Sequence, residues 1–85
     1  MEIHHTARKH GVSDADLRHV VDHALYAGAL EGDPPLRLLY LGPDRAGNLL
    51  EVVVIERDDS SELAIHAMKM RRRYRDLLKE VITGE

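Results

Sequence analysis

Three apolar runs, at residues 36–41, 49–56 and 63–68, stand so close together in this chain that only one kind of sheet can hold them. A parallel crossover needs about a dozen residues or more. The connections at 42–48 and 57–62 are shorter and contain the turn formers Gly42-Pro43-Asp44 and Asp58-Asp59-Ser60-Ser61. Consecutive runs must therefore pair antiparallel, as a three-stranded meander with β-branched residues densest in its middle strand. Ile3 is placed to add a short fourth strand at an edge.

Helices flank the meander. Short helical character near residues 6–10 closes at Gly11, which tolerates the left-handed conformation that ends many helices. Ser13 is an N-cap with Asp16 three residues on, and Leu17, Val20, Val21, Ala24 and Leu25 follow at helical spacing, predicting a helix over 14–27. Two Gly and two Pro within 28–35 then make a loop. After the strands, Tyr74, Leu77, Leu78, Val81 and Ile82 form an amphipathic stripe that predicts a helix over 70–82. The reading is one α+β domain spanning residues 1–85.

Composition narrows the classes of function. With no Cys, the chain has neither disulfides nor thiolate chemistry, and its core must come from aliphatic residues and three Tyr, because Phe and Trp are absent. Residues 1–11 are polar and His-rich, unlike a signal peptide, and no stretch has the length and apolarity of a membrane span. A cytoplasmic protein with no membrane partner is expected. Charge is uneven: residues 1–68 carry six basic and twelve acidic side chains, residues 69–85 six and three. Lys69, Arg71, Arg72, Arg73 and Arg75 gather where the last strand meets the last helix, whose free N–H groups already favour an anion. A phosphate backbone or an acidic protein would relieve that conflict. The plainer reading is a solvated face with Arg72 and Arg73 paired to Asp76.

Strand parity supplies a second constellation. With symmetrical connections, Arg37 falls opposite Val53 and Val53 opposite His66, placing Arg37, Glu51 and His66 on one face. A carboxylate, an imidazole and a guanidinium there could act as base, acid and charge stabiliser in phosphodiester cleavage, whose transition state is anionic. The plainer reading is a Glu51–Arg37 ion pair on a half-solvated face. His19 and His23 lie one helical turn apart but opposite the apolar stripe, without the Glu of a zinc-protease motif, and are read as solvent-facing. His4, His5 and His10 are read as surface residues. No metal site or cofactor is expected.

The stretches Lys9-His10-Gly11-Val12-Ser13, Arg37-Leu38-Leu39-Tyr40-Leu41-Gly42, 49–57 and Ile65-His66-Ala67-Met68-Lys69 resemble, in order and spacing, the BrnT-like toxins of the RelE superfamily. The likeness runs from Lys9 to about Tyr74. It implies a RelE-like fold, with helices against an antiparallel sheet, and a metal-independent ribonuclease of a type II toxin–antitoxin module, neutralised when a cognate antitoxin covers its basic face. It further implies that Arg37, Arg57 and Lys69 bind or polarise phosphate. Where the family usually shows Ser-Ala-Arg-Lys this chain has His66-Ala67-Met68-Lys69, and Tyr74 stands in place of a Glu.

The leading expectation is an RNA-cleaving toxin in which His66 or Glu51 assists attack by the 2′-hydroxyl, while Arg37, Lys69, Arg71 and Arg73 hold the phosphate, with Arg57 and Arg72 adding affinity. Its partners would be RNA and an antitoxin, as a homodimer or a toxin–antitoxin hetero-oligomer. The alternative is a non-catalytic binding module, or a degenerate toxin, whose basic helix start docks an acidic protein or nucleic acid.

Overall fold

The structure, a computed structural model, describes residues 1–83. It is an α+β fold built on a five-stranded mixed open sheet. The strands are β1 (Glu2–Ile3), β2 (Tyr26–Leu30), β3 (Arg37–Pro43), β4 (Leu49–Glu56) and β5 (Glu62–Lys69), in the spatial order β1-β5-β4-β3-β2. The β3-β4-β5 meander is antiparallel, as the short connections require. β1 adds the expected edge strand and pairs parallel to β5.

The segment after the first helix departs from expectation. Helix α1 spans Asp14–Asp22, and residues that periodicity assigns to its continuation and to a loop instead form β2, antiparallel to β3. Ser13 does cap α1, its side chain accepting the Asp16 amide at 3.1 Å. Leu17 and Val20 are buried by it, but Leu25 is 43% exposed. What ends the helix is competition for the backbone: the Leu25 amide donates to the Leu41 carbonyl at 2.8 Å and starts the β2 ladder. Tyr26-Ala27-Gly28-Ala29-Leu30 alternates half-buried and exposed positions, as an edge strand with one covered face does. Four antiparallel strands and one parallel edge strand thus stand where an antiparallel meander of three, with a fourth edge strand at Ile3, is expected.

Two apolar layers lie on opposite faces of the sheet. On one, α1 and a 3-10 turn at His5–Arg8 cover β3, β4 and β5, with Ala7, Leu17, Val20, Leu50, Val52, Val54, Ala64 and Ala67 buried together. On the other, a 3-10 turn at Arg72–Tyr74 leads into α2 (Arg75–Thr83), which buries Leu78 against Leu39, Leu41 and Val53. Leu77 and Tyr74 pack on the same cluster, whereas Val81 is 47% exposed. Ile82, which the periodicity adds to this stripe, lies outside the residues whose side chains are described. β4 is covered on both faces, so residues 50–54 are buried without a break. In the middle of that run stands one carboxylate, Glu51, with no exposure at all. Among the described residues no helix is long and apolar enough to cross a membrane.

Candidate functional site

Glu51 faces the α2 side, and the sheet register decides what surrounds it. Leu41 and Met68 flank it on β3 and β5, and His66 stands opposite Val53, one pleat further along. A bulge in β5, between the Val53 and Val54 pairings, leaves Ile65 as the extra residue and preserves this placement. Both oxygens of Glu51 are used twice. Oε2 meets His66 Nε2 at 3.0 Å and accepts from Arg71 Nη2 at 2.8 Å. Oε1 accepts from the Arg71 amide at 2.9 Å and from Arg71 Nε at 3.0 Å.

This arrangement explains how an acidic side chain survives in the core. Burial pushes the Glu51 carboxyl up, yet the hydrogen bonds from the Arg71 side chain and amide and from His66 outweigh it and hold the group below the ordinary carboxylate value. The same hydrogen bond raises the Arg71 guanidinium. Arg71 precedes the Arg72–Tyr74 turn with extended backbone and no cap from its own side chain, so Glu51 supplies the acceptor that ties down the entry to the last helix. Arg71 is 42% exposed and His66 27% exposed, so both reach from the buried carboxylate into solvent. Of the five N–H donors of a guanidinium, Nε and one on Nη2 are committed to Glu51.

Arg73 and Arg71 lie 5.3 and 5.8 Å from the centre of the Tyr74 ring, which holds them beside one another. Among the described residues Arg72, Arg75 and Lys69 form no ion pair, and the pairing of Arg72 and Arg73 with Asp76 that the plainer reading offered is not seen. The structure therefore brings together Glu51, His66 and Arg71, with Arg72 and Arg73 adjoining them.

It does not bring in the other residues of the expected site. Arg37 pairs with Ile55 rather than Val53, because β3 runs on through Gly42 and Pro43 and the reversal is confined to 44–48. There Asp44 Oδ1 accepts the amides of Ala46 and Asn48 at 2.9 and 2.8 Å, a local turn stabiliser. The two-residue shift keeps the face but places Arg37 about 13 Å along the strand from the residue opposite Glu51. Its guanidinium instead donates to the Glu31 carbonyl at 3.2 Å. Arg57 lies at that same far end, bonded to Ser61 Oγ at 2.9 Å and to Glu2 at 3.0 Å. Lys69 pairs with Leu50, whose side chain belongs to the α1 layer, so it emerges on the opposite face from Glu51.

One histidine expectation changes, and another holds with a neighbour that was not expected. His19 is half-buried, its Nδ1 3.0 Å from the Pro43 carbonyl oxygen, and stacks on His23 at 4.2 Å between ring centres. His10, expected at the surface, is exposed but stands edge-on to His66, ring centres 5.9 Å apart. The sequence holds no local signal for this. It follows from the N-terminal segment being tied to β5 by the His4 amide on the Ala64 carbonyl at 2.9 Å and by Thr6 Oγ1 on the Ile65 carbonyl at 2.7 Å.

No protein-family model, curated protein or solved structure matches the chain.

Proposed function

We propose that this protein cleaves RNA without a metal at the Glu51–His66–Arg71 site, as a toxin of the RelE-like, BrnT-like kind that an antitoxin neutralises in the cytoplasm. The observation that carries the reading is the sharing of one fully buried carboxylate between an imidazole and a guanidinium that both reach the surface. An ionised Glu51 accepts the Nε2 proton of His66, which leaves the lone pair of a neutral ring on Nδ1. That atom takes the proton of the attacking 2′-hydroxyl. The remaining donors of Arg71 meet the charge that builds on the phosphorus oxygens, and because Glu51 has already fixed the guanidinium, little reorganisation is needed. Arg72 and Arg73 hold flanking phosphates.

Glu51, lying wholly below the surface, is a positioning residue here and not the base. Arg37, Arg57 and Lys69 fall outside the reacting centre, so the phosphate roles that the resemblance implies for them pass to Arg71, Arg72 and Arg73. The resemblance in residues 9–74, the α+β architecture and the basic end of the sheet support the family reading together.

The test is cleavage of end-labelled RNA by purified protein. Wild type should give a 2′,3′-cyclic phosphate end. His66→Ala should lose about 10²-fold or more of the rate with RNA affinity nearly intact. Glu51→Gln, which keeps the shape and removes the charge, should lower turnover more than affinity. Wild-type protein that binds RNA and leaves it intact rejects catalysis in favour of a binding module. Failure to bind RNA at all redirects the basic end to an acidic protein.

A further inference from the structure

Cleavage by 2′-hydroxyl attack moves two protons, and the Glu51–His66–Arg71 group accounts for only one of them. A proton leaves the 2′-oxygen as it bonds to phosphorus, and another must reach the 5′-oxygen as its bond to phosphorus breaks, since an alkoxide is a poor leaving group. Arg71 cannot supply it, because a guanidinium stays protonated in proteins and its own value is raised further by Glu51. Tyr74 is half-buried against the α2 core and turned to Arg71 and Arg73. A second group that donates a proton reversibly has to stand near His66.

We infer that His10 is that group, the general acid that protonates the 5′-oxygen, and this inference rests on the ribonuclease reading above. Three observations single it out. Its ring stands edge-on to His66 with centres 5.9 Å apart, a separation that admits a phosphodiester oxygen to each ring while both bracket one phosphorus. It is exposed, so it can reach substrate and exchange protons with water between turnovers. Its backbone is held in place: Gly11 turns the chain at φ +79° with its amide on the Arg8 carbonyl at 3.2 Å, and the Arg8 guanidinium is clamped by Asp14 at 2.9 Å. A mobile terminal histidine would not fulfil the third condition.

The two rings differ in what faces them, and this divides their roles. The Nε2 of His66 is committed to the buried Glu51 carboxylate, which fixes the tautomer and leaves Nδ1 of the neutral ring as an acceptor, whereas among the described residues His10 forms no hydrogen bond with a carboxylate and can turn an N–H to the departing oxygen. In the forward step His66 gains the 2′-oxygen proton, the O2′–P bond forms, the P–O5′ bond breaks and His10 gives its proton to the departing oxygen. The products are a 2′,3′-cyclic phosphate and a free 5′-hydroxyl. Solvent returns each ring to its starting state, and no co-reactant is consumed.

A leaving group that needs no proton separates the roles. Wild type, His10→Ala and His66→Ala would each be assayed on a dinucleotide and on a nucleoside 3′-(4-nitrophenyl phosphate). His10→Ala should lose about 10²–10⁴-fold on the dinucleotide and less than tenfold on the aryl ester, while His66→Ala loses heavily on both. The thermal midpoint and dinucleotide affinity of His10→Ala should match wild type, as befits an exposed side chain. Equal losses on both substrates for His10→Ala, or no loss on the dinucleotide, overturn the assignment while leaving the ribonuclease reading intact. Rescue of His66→Ala in place of His10→Ala shows the roles reversed and overturns it too. A wild type inert on both substrates overturns the ribonuclease reading and this inference with it.

Discussion

The two ends of β4 contain the same kinds of side chain and use them in opposite ways. At the Glu51 end a single carboxylate is buried and divided between His66 and Arg71, and the cations around it, Arg72, Arg73 and Arg75, are left in solvent. At the Glu56 end the cations are the minority. Arg57 is answered by Glu2 and Ser61, Arg37 by the Glu31 carbonyl, and the neighbouring turns add Asp33, Asp58, Asp59 and the cross-strand pair of Glu56 and Glu62. The half-buried Tyr40 registers this: burial raises its hydroxyl first, and Glu62 and Glu56 raise it further. The molecule is thus polarised along its strands. An arginine becomes a candidate ligand-binding group where its counter-charge is buried and already shared, and turn stabilisation where exposed carboxylates surround it.

The strongest way to break this comparison is to remove one acid–base pair at each end. Glu51→Ala leaves His66 and Arg71 without their acceptor and opens a hole between core strands. It should cost about 2–3 kcal/mol, less than a fully buried pair would, because Arg71 keeps 42% of its side chain in solvent. Arg57→Ala, whose partner Glu2 is 62% exposed, should cost under about 1 kcal/mol. Urea midpoints at constant slope measure both. Equal losses would mean that the buried carboxylate contributes no more than a surface pair, and the distinction between the ends would fail.

A smaller effect sharpens the functional side. Arg72→Ala with Arg73→Ala should weaken single-stranded RNA binding roughly tenfold and reduce the slope of log affinity against log salt by about 1.4, the amount for two phosphate contacts. The matching double change at the far end, Arg37→Ala with Arg57→Ala, should leave affinity and slope within about twofold of wild type, since those guanidiniums sit among carboxylates and loop carbonyls. If the far-end pair proves the more damaging, RNA lies along the whole sheet, and the family roles implied for Arg37 and Arg57 return.

The residues explain why the near end was more legible in the sequence than the far end. The meander at 36–41, 49–56 and 63–68 differs from β3, β4 and β5 by a residue or two at its ends, because short connectors leave antiparallel pairing as the only choice. His66 opposite Val53 was readable from the symmetrical 57–62 connection, even though a bulge at Ile65 lies beside it. Arg37 sits two residues from its expected partner because Pro43, a poor strand residue by propensity, continues β3 to pair with Leu49. β2 was invisible for a related reason: Tyr26-Ala27-Gly28-Ala29-Leu30 contains no β-branched residue, and Ala24 and Leu25 extend the helical period of α1 into it. Its identity depends on β3 being there to pair with. His10 near His66 is likewise a long-range fact, set by hydrogen bonds across β5 that no spacing encodes.

The smallest effect asks whether Glu51 is charged in the fold, on which its hold over His66 and Arg71 depends. Its folded-state value lies below the unfolded one, near about 4.3, because the Arg71 and His66 hydrogen bonds overcome the rise that burial causes. A depressed carboxyl contributes stability that is fully present above the unfolded value and is lost as pH falls through the folded value. Wild type should therefore lose stability from about pH 4 downward, while Glu51→Gln, with nothing to titrate at this position, starts lower and falls less. The gap between them narrows as acid is added. At the other end Asp59 is also depressed, through Ser61, but it is exposed, and Asp59→Asn should change the acid limb only slightly. Urea midpoints taken from pH 7 to pH 2.5 follow all three proteins. A wild type that instead gains stability relative to Glu51→Gln as pH falls from 7 towards about 4 would show that Glu51 is already protonated at neutrality, its folded value lying above the unfolded one. It would then be unable to hold the lone pair of His66 on Nδ1, and the asymmetry between the two ends would be one of burial without charge.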